Sequence, residues 1–160
     1  MDRIIHPIKP IYDKNSEILI LGSFPSVKSR EEAFFYAHPQ NRFWRVLAAV
    51  YQKDVPKTTD DKKIFLAENK IALWDVLASC EIKGSSDSSI KNISVNDISP
   101  ILKCADIKRI FTNGTTAYKY YSKNIEPVIK RDTVCLPSTS PANAAKSFEE
   151  LCTIWQALRL

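Results

Sequence analysis

The chain has 160 residues, is 44% hydrophobic and 26% charged, and carries a formal net charge of +5. Those values describe one ordinary globular domain spanning residues 1–160, large enough to close a core, and they exclude a disordered or low-complexity chain. No stretch approaches the roughly 18 apolar residues of a membrane span, and no signal-peptide pattern opens the chain, so no membrane association and a cytoplasmic location are expected. The basic balance leans toward a polyanionic partner. Cys80, Cys104, Cys135 and Cys152 show no C-x-x-C spacing, so they are expected to be free, mostly buried thiols without a metal or cluster. Only three glycines occur, Gly22, Gly84 and Gly114, and each is expected where the backbone needs unusual freedom.

In chain order, the first sixteen residues, with Pro7 and Pro10, read as an extended lead-in packed along the surface. Residues 17–21 form an apolar strand that ends at Gly22. A connection of about twenty residues follows, too long to be a simple turn and rich in aromatic and small polar groups. Asn41 is placed to cap a helix whose stripe is Phe43, Val46, Leu47, Val50 and Tyr51. A second helix starts after Pro56, with Thr58 and Asp61 at capping-box spacing, and is expected to turn Ile64, Phe65 and Leu66 inward. Residues 71–77 make a second strand, followed by a polar stretch with one glycine and five serines. A short helix near residues 97–104 precedes a third strand at 107–112, the Asn113-Gly114 pair and a helix at 115–123. A fourth strand at 133–136 leads into the loop PSTSPANA. A last helix at 144–158 is expected to bury Phe148, Leu151, Cys152, Trp155 and Leu158.

Strands alternating with helices predict an α/β fold, a three-layer α/β/α sandwich with a central four-stranded, mainly parallel sheet. The polar loops all follow strands, at the edge where open α/β sheets bind ligands. Phosphate loops of the G-x-x-x-x-G-K-[ST] and G-x-G-x-x-G types are absent, as is a G-x-S-x-G serine elbow. A triad built on His38 has no supporting spacing, and His6 lies in the lead-in. What remains is a set of neutral polar groups and aromatics: Ser23, Ser26, Tyr36, His38, Asn41, Asn113, Ser138, Thr139, Ser140 and Asn143. Such a set suits a reaction in which the protein orients water and stabilises developing charge while the substrate supplies the leaving group. Hydrolysis of an N-glycosidic bond is of that kind. Asp75 and Asp87 carry no clear signal.

Three ordered motifs, GSFPS at 22–26, FFYAHPQNRFW at 34–44 and STSPAN at 138–143, resemble the uracil-DNA glycosylase superfamily over about residues 18–158. Their combination resembles its hypoxanthine-DNA (DNA-deoxyinosine) glycosylase branch, while HPQNRFW is also close to the mismatch-specific uracil/thymine enzymes. The resemblance implies a DNA glycosylase of base-excision repair, acting without a cofactor on DNA containing deaminated bases, as a monomer. The alternatives are a mismatch-specific uracil or thymine glycosylase and a non-catalytic DNA-binding relative.

By the same resemblance, Gly22, Ser23, Phe24, Tyr36 and Asn113 would form the base pocket, with Tyr36 against the flipped base and Asn113 reading its edge. Mismatch-specific enzymes have a water-positioning Asn where this chain has Phe24. In the hypoxanthine branch the catalytic asparagine lies in the H-P-x-N segment, which the resemblance places at Asn41, whose competing role is helix capping. Asn113 competes with a turn role. Pro25, Ser26, Ser138, Thr139 and Ser140 would contact DNA, the last three gripping phosphates, and Pro141, Ala142 and Asn143 would form a small wedge; the competing role for this loop is to cap the last helix with Asn143. His38 would stabilise charge or brace its loop.

Overall fold

The computed structural model describes residues 2–160. Its centre is a four-stranded sheet of β2 (Ile18–Gly22), β3 (Ile71–Asp75), β6 (Arg109–Asn113) and β7 (Val134–Leu136), in the order β3-β2-β6-β7. All three pairings are parallel, as the alternation of strands and helices predicts. The chain leaves β2 for β3 on one side and returns to β6 on the other. That reversal puts a topological switch point at the carboxyl ends of β2 and β6, beside Gly22 and Asn113.

Every residue of β2 is buried, and its side chains alternate between two cores, as strand geometry requires. Ile18 and Ile20 face one core with Ile71, Leu73, Phe111 and Leu136. It is closed by α2 (Phe43–Tyr51), α3 (Thr59–Glu68) and α7 (Phe148–Trp155). Leu19 and Leu21 face the other core, which Ile98, Ile101, Ala117 and Tyr121 fill from α4 (Ser99–Cys104), α5 (Thr115–Asn124) and the chain just before α4. Short helices α1 (Val27–Glu32) and α6 (Glu126–Ile129) complete the set.

Several expectations change. The lead-in is not a surface strap alone: β1 (Arg3–Ile5) pairs antiparallel with β4 (Leu77–Glu81), which also pairs with β5 (Lys91–Val95). This second sheet covers part of the α4/α5 face. The apolar run 71–77 splits at Val76 into β3 and the start of β4. Two backbone bonds, Val76 N to the Gly22 carbonyl at 2.8 Å and Leu77 N to the Ser23 carbonyl at 3.1 Å, tie that break to the end of β2. The long connection after β2 contains α1, whose Ser26 N-cap accepts from Ser29 N. Thr58 caps α3 by accepting from Asp61 N, yet Ile64 is 55% exposed, because Phe65 and Leu66 take the buried face.

The last helix is shorter than its apolar stripe suggests. It starts at Phe148, where a capping box between Ser147 and Glu150 satisfies the first turn, and it tightens into a 3₁₀ turn at Gln156–Arg159. Phe148 is consequently exposed and Cys152 half-buried, while Leu151, Trp155 and Leu158 are buried. Cys104 and Cys135 are exposed too, so the expectation of mostly buried thiols holds fully only for Cys80. No helix among the described residues is long and apolar enough to cross a membrane.

Trp155 joins α7 to the sheet: it is fully buried, meets Phe43 edge-on at 6.0 Å and donates its indole N–H to the Pro137 carbonyl at 3.0 Å. Trp155→Ala is expected to destabilise the fold by roughly 3–5 kcal/mol, from lost burial, the residual cavity and an orphaned carbonyl. Urea unfolding measures it; a loss below about 1 kcal/mol would show that α7 docks without this anchor.

Candidate active site

Asn41, Asn113 and Thr139 are separated by up to 98 residues, yet they form one hydrogen-bonded bridge. Thr139 Oγ1 donates to Asn41 Oδ1 at 2.9 Å and accepts from Asn113 Nδ2 at 3.0 Å. Thr139 N donates to Asn113 Oδ1 at 3.1 Å, which fixes which way that amide points. Asn41 Oδ1 also accepts from Phe43 N at 2.9 Å, satisfying an orphan donor at the start of α2. The N-cap of α2 is Arg42, not Asn41 as expected, and Asn41 serves the first turn from one position further out, with its oxygen alone. Both oxygen lone pairs are filled, whereas Nδ2 donates to no protein group among the described residues. Asn113 is buried at the end of β6 and keeps one N–H and one lone pair to offer.

Beside Asn113, Tyr36 lies flat on Phe43 with ring centroids 3.9 Å apart and planes 19° from parallel. Its backbone is left-handed, with φ of 53°, a conformation non-glycine residues adopt at some energetic cost. The phenolic oxygen is buried and has no hydrogen-bond partner. Burial, and after it the negative charge of Asp75, raises the Tyr36 pKa far above that of a free phenol, against the opposing pull of the neighbouring Asn113 amide, so the group stays a neutral donor. Gly22 is required here by close approach. A Cβ on it would collide with Asp75 Oδ1 and stand 2.8 Å from the Tyr36 hydroxyl.

Asp75 ends β3 and is held by His6, whose Nε2 lies 2.7 Å from Asp75 Oδ2. His6 Nδ1 accepts from Ile8 N at 3.1 Å, which leaves Nε2 as the donor. Both side chains are almost fully buried, at 3% and 5% exposure. The His6 ring is walled by Phe24, edge-on at 5.7 Å, and by Trp74 and Phe35. Phe24 itself belongs to the core on the α4/α5 side.

Ser23 Oγ lies 3.0 and 3.1 Å from the two oxygens of Asp87, which reaches in from the serine-rich segment between β4 and β5. Asp87 stands at a solvent-exposed rim, but atoms crowd its carboxyl group. That desolvation raises its pKa, the Ser23 hydroxyl opposes the rise, the charge of Asp75 adds to it, and the Thr116 hydroxyl opposes it.

The loop after β7 differs from a simple phosphate grip. Thr139 is wholly buried and its hydroxyl and N–H are spent on the two asparagines, so it is not presented to DNA. Ser140 N is taken by Ser138 Oγ and Ala142 N by Ser140 Oγ. The hydroxyl protons of Ser138 and Ser140 are what these side chains can still donate. Pro141 and Ala142 are exposed at the tip, and Asn143 Nδ2 closes the loop on the Ser138 carbonyl at 2.9 Å. Asn143 does not cap the last helix, which begins five residues later. Pro25 is buried and the Ser26 hydroxyl is engaged with Ser29, so neither offers DNA a free group. His38 braces its own turn, accepting from Gln40 N through Nδ1 at 3.1 Å.

Four residues that sequence reasoning passed over belong to this edge: His6, Asp75, Asp87 and Arg42. Arg42 donates to the carbonyls of Lys146, Ser140 and Asn143 at 2.6, 3.3 and 2.9 Å, and its N–H donates to the Thr139 carbonyl at 3.0 Å. It ties HPQNRFW to STSPAN. The signal for it was its place directly after Asn41; nothing local marks His6 as the partner of a residue 69 positions away.

Residues 9–159 match the family described as the uracil DNA glycosylase superfamily. Two relatives from Methanosarcina species carry the name hypoxanthine DNA glycosylase. The Methanosarcina barkeri protein is 34% identical over 139 residues, covering 84% of this chain and 85% of its own. The Methanosarcina acetivorans protein is 36% identical over 138 residues, covering 83% and 84%. A solution NMR structure from Methanosarcina acetivorans, described as a uracil DNA glycosylase, superposes with a TM-score of 0.80 at 31% identity, covering 98% of this chain and 100% of that one. The chain belongs to the uracil DNA glycosylase superfamily.

Proposed function

We propose that this protein is a monofunctional DNA glycosylase that excises hypoxanthine, the deamination product of adenine, in base-excision repair. The observation that carries the reading is the buried bridge through Thr139. It fixes two amides at the switch point, one with a free donor for water and one with a free donor and acceptor for a base edge. The relatives' names supply the base.

In this account the deoxyinosine nucleotide leaves the helix and its base enters between Tyr36 and Asn113. One face of the Tyr36 ring is covered by Phe43, so the base meets the other. Hypoxanthine presents a ring N–H and a carbonyl oxygen, which the spare lone pair and N–H of Asn113 match. Asn41 Nδ2 holds the water that attacks C1′ as the C1′–N9 bond breaks and its electron pair leaves with the purine. The net charge of +5 favours the phosphates, the Ser138 and Ser140 hydroxyls donate to them, and the tip at Pro141–Ala142 enters the vacated stack. His38 keeps the Asn41 turn in place. In this reading the protein works as a monomer on cytoplasmic DNA.

Phe24 buried in the core leaves no amide in GSFPS to hold water, which favours this branch over the uracil/thymine enzymes. On duplexes carrying deoxyinosine, deoxyuridine or deoxyxanthosine, the wild type is expected to release base fastest from deoxyinosine. Asn41→Ala is expected to be slower by about 10²-fold or more while still binding the lesion duplex. Fast uracil release with inert deoxyinosine, or normal turnover by Asn41→Ala, would contradict the reading.

Gly22→Ala provides a second test. Its methyl group would displace Asp75 Oδ1 and the Tyr36 hydroxyl from the base pocket. Excision is expected to fall at least about tenfold; an unchanged rate would place the base elsewhere.

A further inference from the structure

Asn41 can hold a water but cannot take its proton: its oxygen is filled by Phe43 N and Thr139 Oγ1, and only the donor side of the amide is free. Attack on C1′ leaves a proton that needs an acceptor. Two carboxylates border the GSFPS loop. Asp75 is committed, with Oδ2 on His6 and Oδ1 close against Gly22. Asp87 is not. It is held only by hydroxyls, stands at the open rim, and meets the loop at Ser23, the residue directly after the strand end. The Tyr36 hydroxyl, buried beside Gly22, feels the charge of both carboxylates.

We propose that Asp87 is the general base of the reaction, supplying from the β4–β5 segment the carboxylate that GSFPS lacks. The proposal rests on the glycosylase reading above. In the step, the water oxygen bonds to C1′ and one water proton passes to Asp87. The C1′–N9 electron pair departs with hypoxanthine, which takes a proton from solvent. The products are free base and an abasic site, and no oxidant or second reactant is needed. Ser23 and Thr116 orient the carboxylate, and Arg30 fixes its segment by donating to the Gly84 carbonyl at 2.9 Å.

The groups that face Asp87 set its pH behaviour. Asp75, with His6 behind it, raises its pKa by charge; Ser23 and Thr116 lower it; Tyr36, the Cys80 thiol and Arg30 complete the surroundings. A base works when ionised, so the single-turnover rate must fall as pH drops through this pKa, which desolvation places above the ordinary carboxylate range.

The test measures single-turnover excision from a deoxyinosine duplex against pH, and binding to a 2′-fluoro-2′-deoxyinosine duplex that resists cleavage. Asp87→Asn is expected to lose about 10²- to 10⁴-fold in rate, to lose the acid limb and to keep binding within a few-fold. Ser23→Ala keeps the carboxylate but removes a hydrogen bond that favours its ionised form. Its acid limb is expected to move to higher pH, which tests the proposal even if Asp87→Asn does not fold. An Asp87→Asn variant with wild-type rate and limb, or a Ser23→Ala limb that stays in place, would overturn the assignment. No hypoxanthine release by the wild type would instead overturn the glycosylase reading itself.

Discussion

One buried hydroxyl holds this site together. Thr139 Oγ1 sits between an asparagine at the entrance to α2 and another at the end of β6, donating to one and accepting from the other. In a buried setting each of these polar atoms would be costly to leave unpaired, by about 1–3 kcal/mol. The pairing therefore sets where the STSPAN loop lies as well as where the amides point. Arg42 reinforces the same junction through three carbonyls of that loop. Loop position, amide orientation and the start of α2 are consequently one cooperative unit.

That unit explains why two readings of Asn41 need not compete. Holding the Phe43 N–H uses the amide oxygen, and positioning water uses the amide nitrogen. The same economy applies to Asn113, whose bonds to Thr139 use half its capacity. Tyr36 shows the opposite condition. Its hydroxyl is buried without a partner, and its backbone is held in the left-handed region. Unsatisfied polar atoms and strained backbone tend to collect where a protein expects a ligand.

The parallel sheet and most of its helices were legible because periodicity is local: each strand or helical stripe announces itself within a few residues. The carboxyl-edge loops were legible for the same reason. What was hidden depended on distance or on the identity of a partner. His6 looked like a surface histidine in a lead-in until β1 paired with β4 and brought it to Asp75. Asp87 looked like one charge in a serine tract until that tract folded back on Ser23. Thr139 looked like a third phosphate hydroxyl, although its neighbours Ser138 and Ser140 keep donors free and it keeps none. Phe148 and Ile64 fit their helical stripes but lie at a helix start and on an open face.

The central claim is that the Thr139 bridge, more than any single amide, organises the site. Thr139→Val tests it most directly, since valine keeps the shape and removes only the hydroxyl. The account expects a folded protein that binds the uncleavable lesion duplex within a few-fold of wild type yet excises hypoxanthine at least about tenfold more slowly in single turnover. A Thr139→Val protein with the wild-type excision rate would show that the bridge is structural decoration and that the asparagines are positioned by something else.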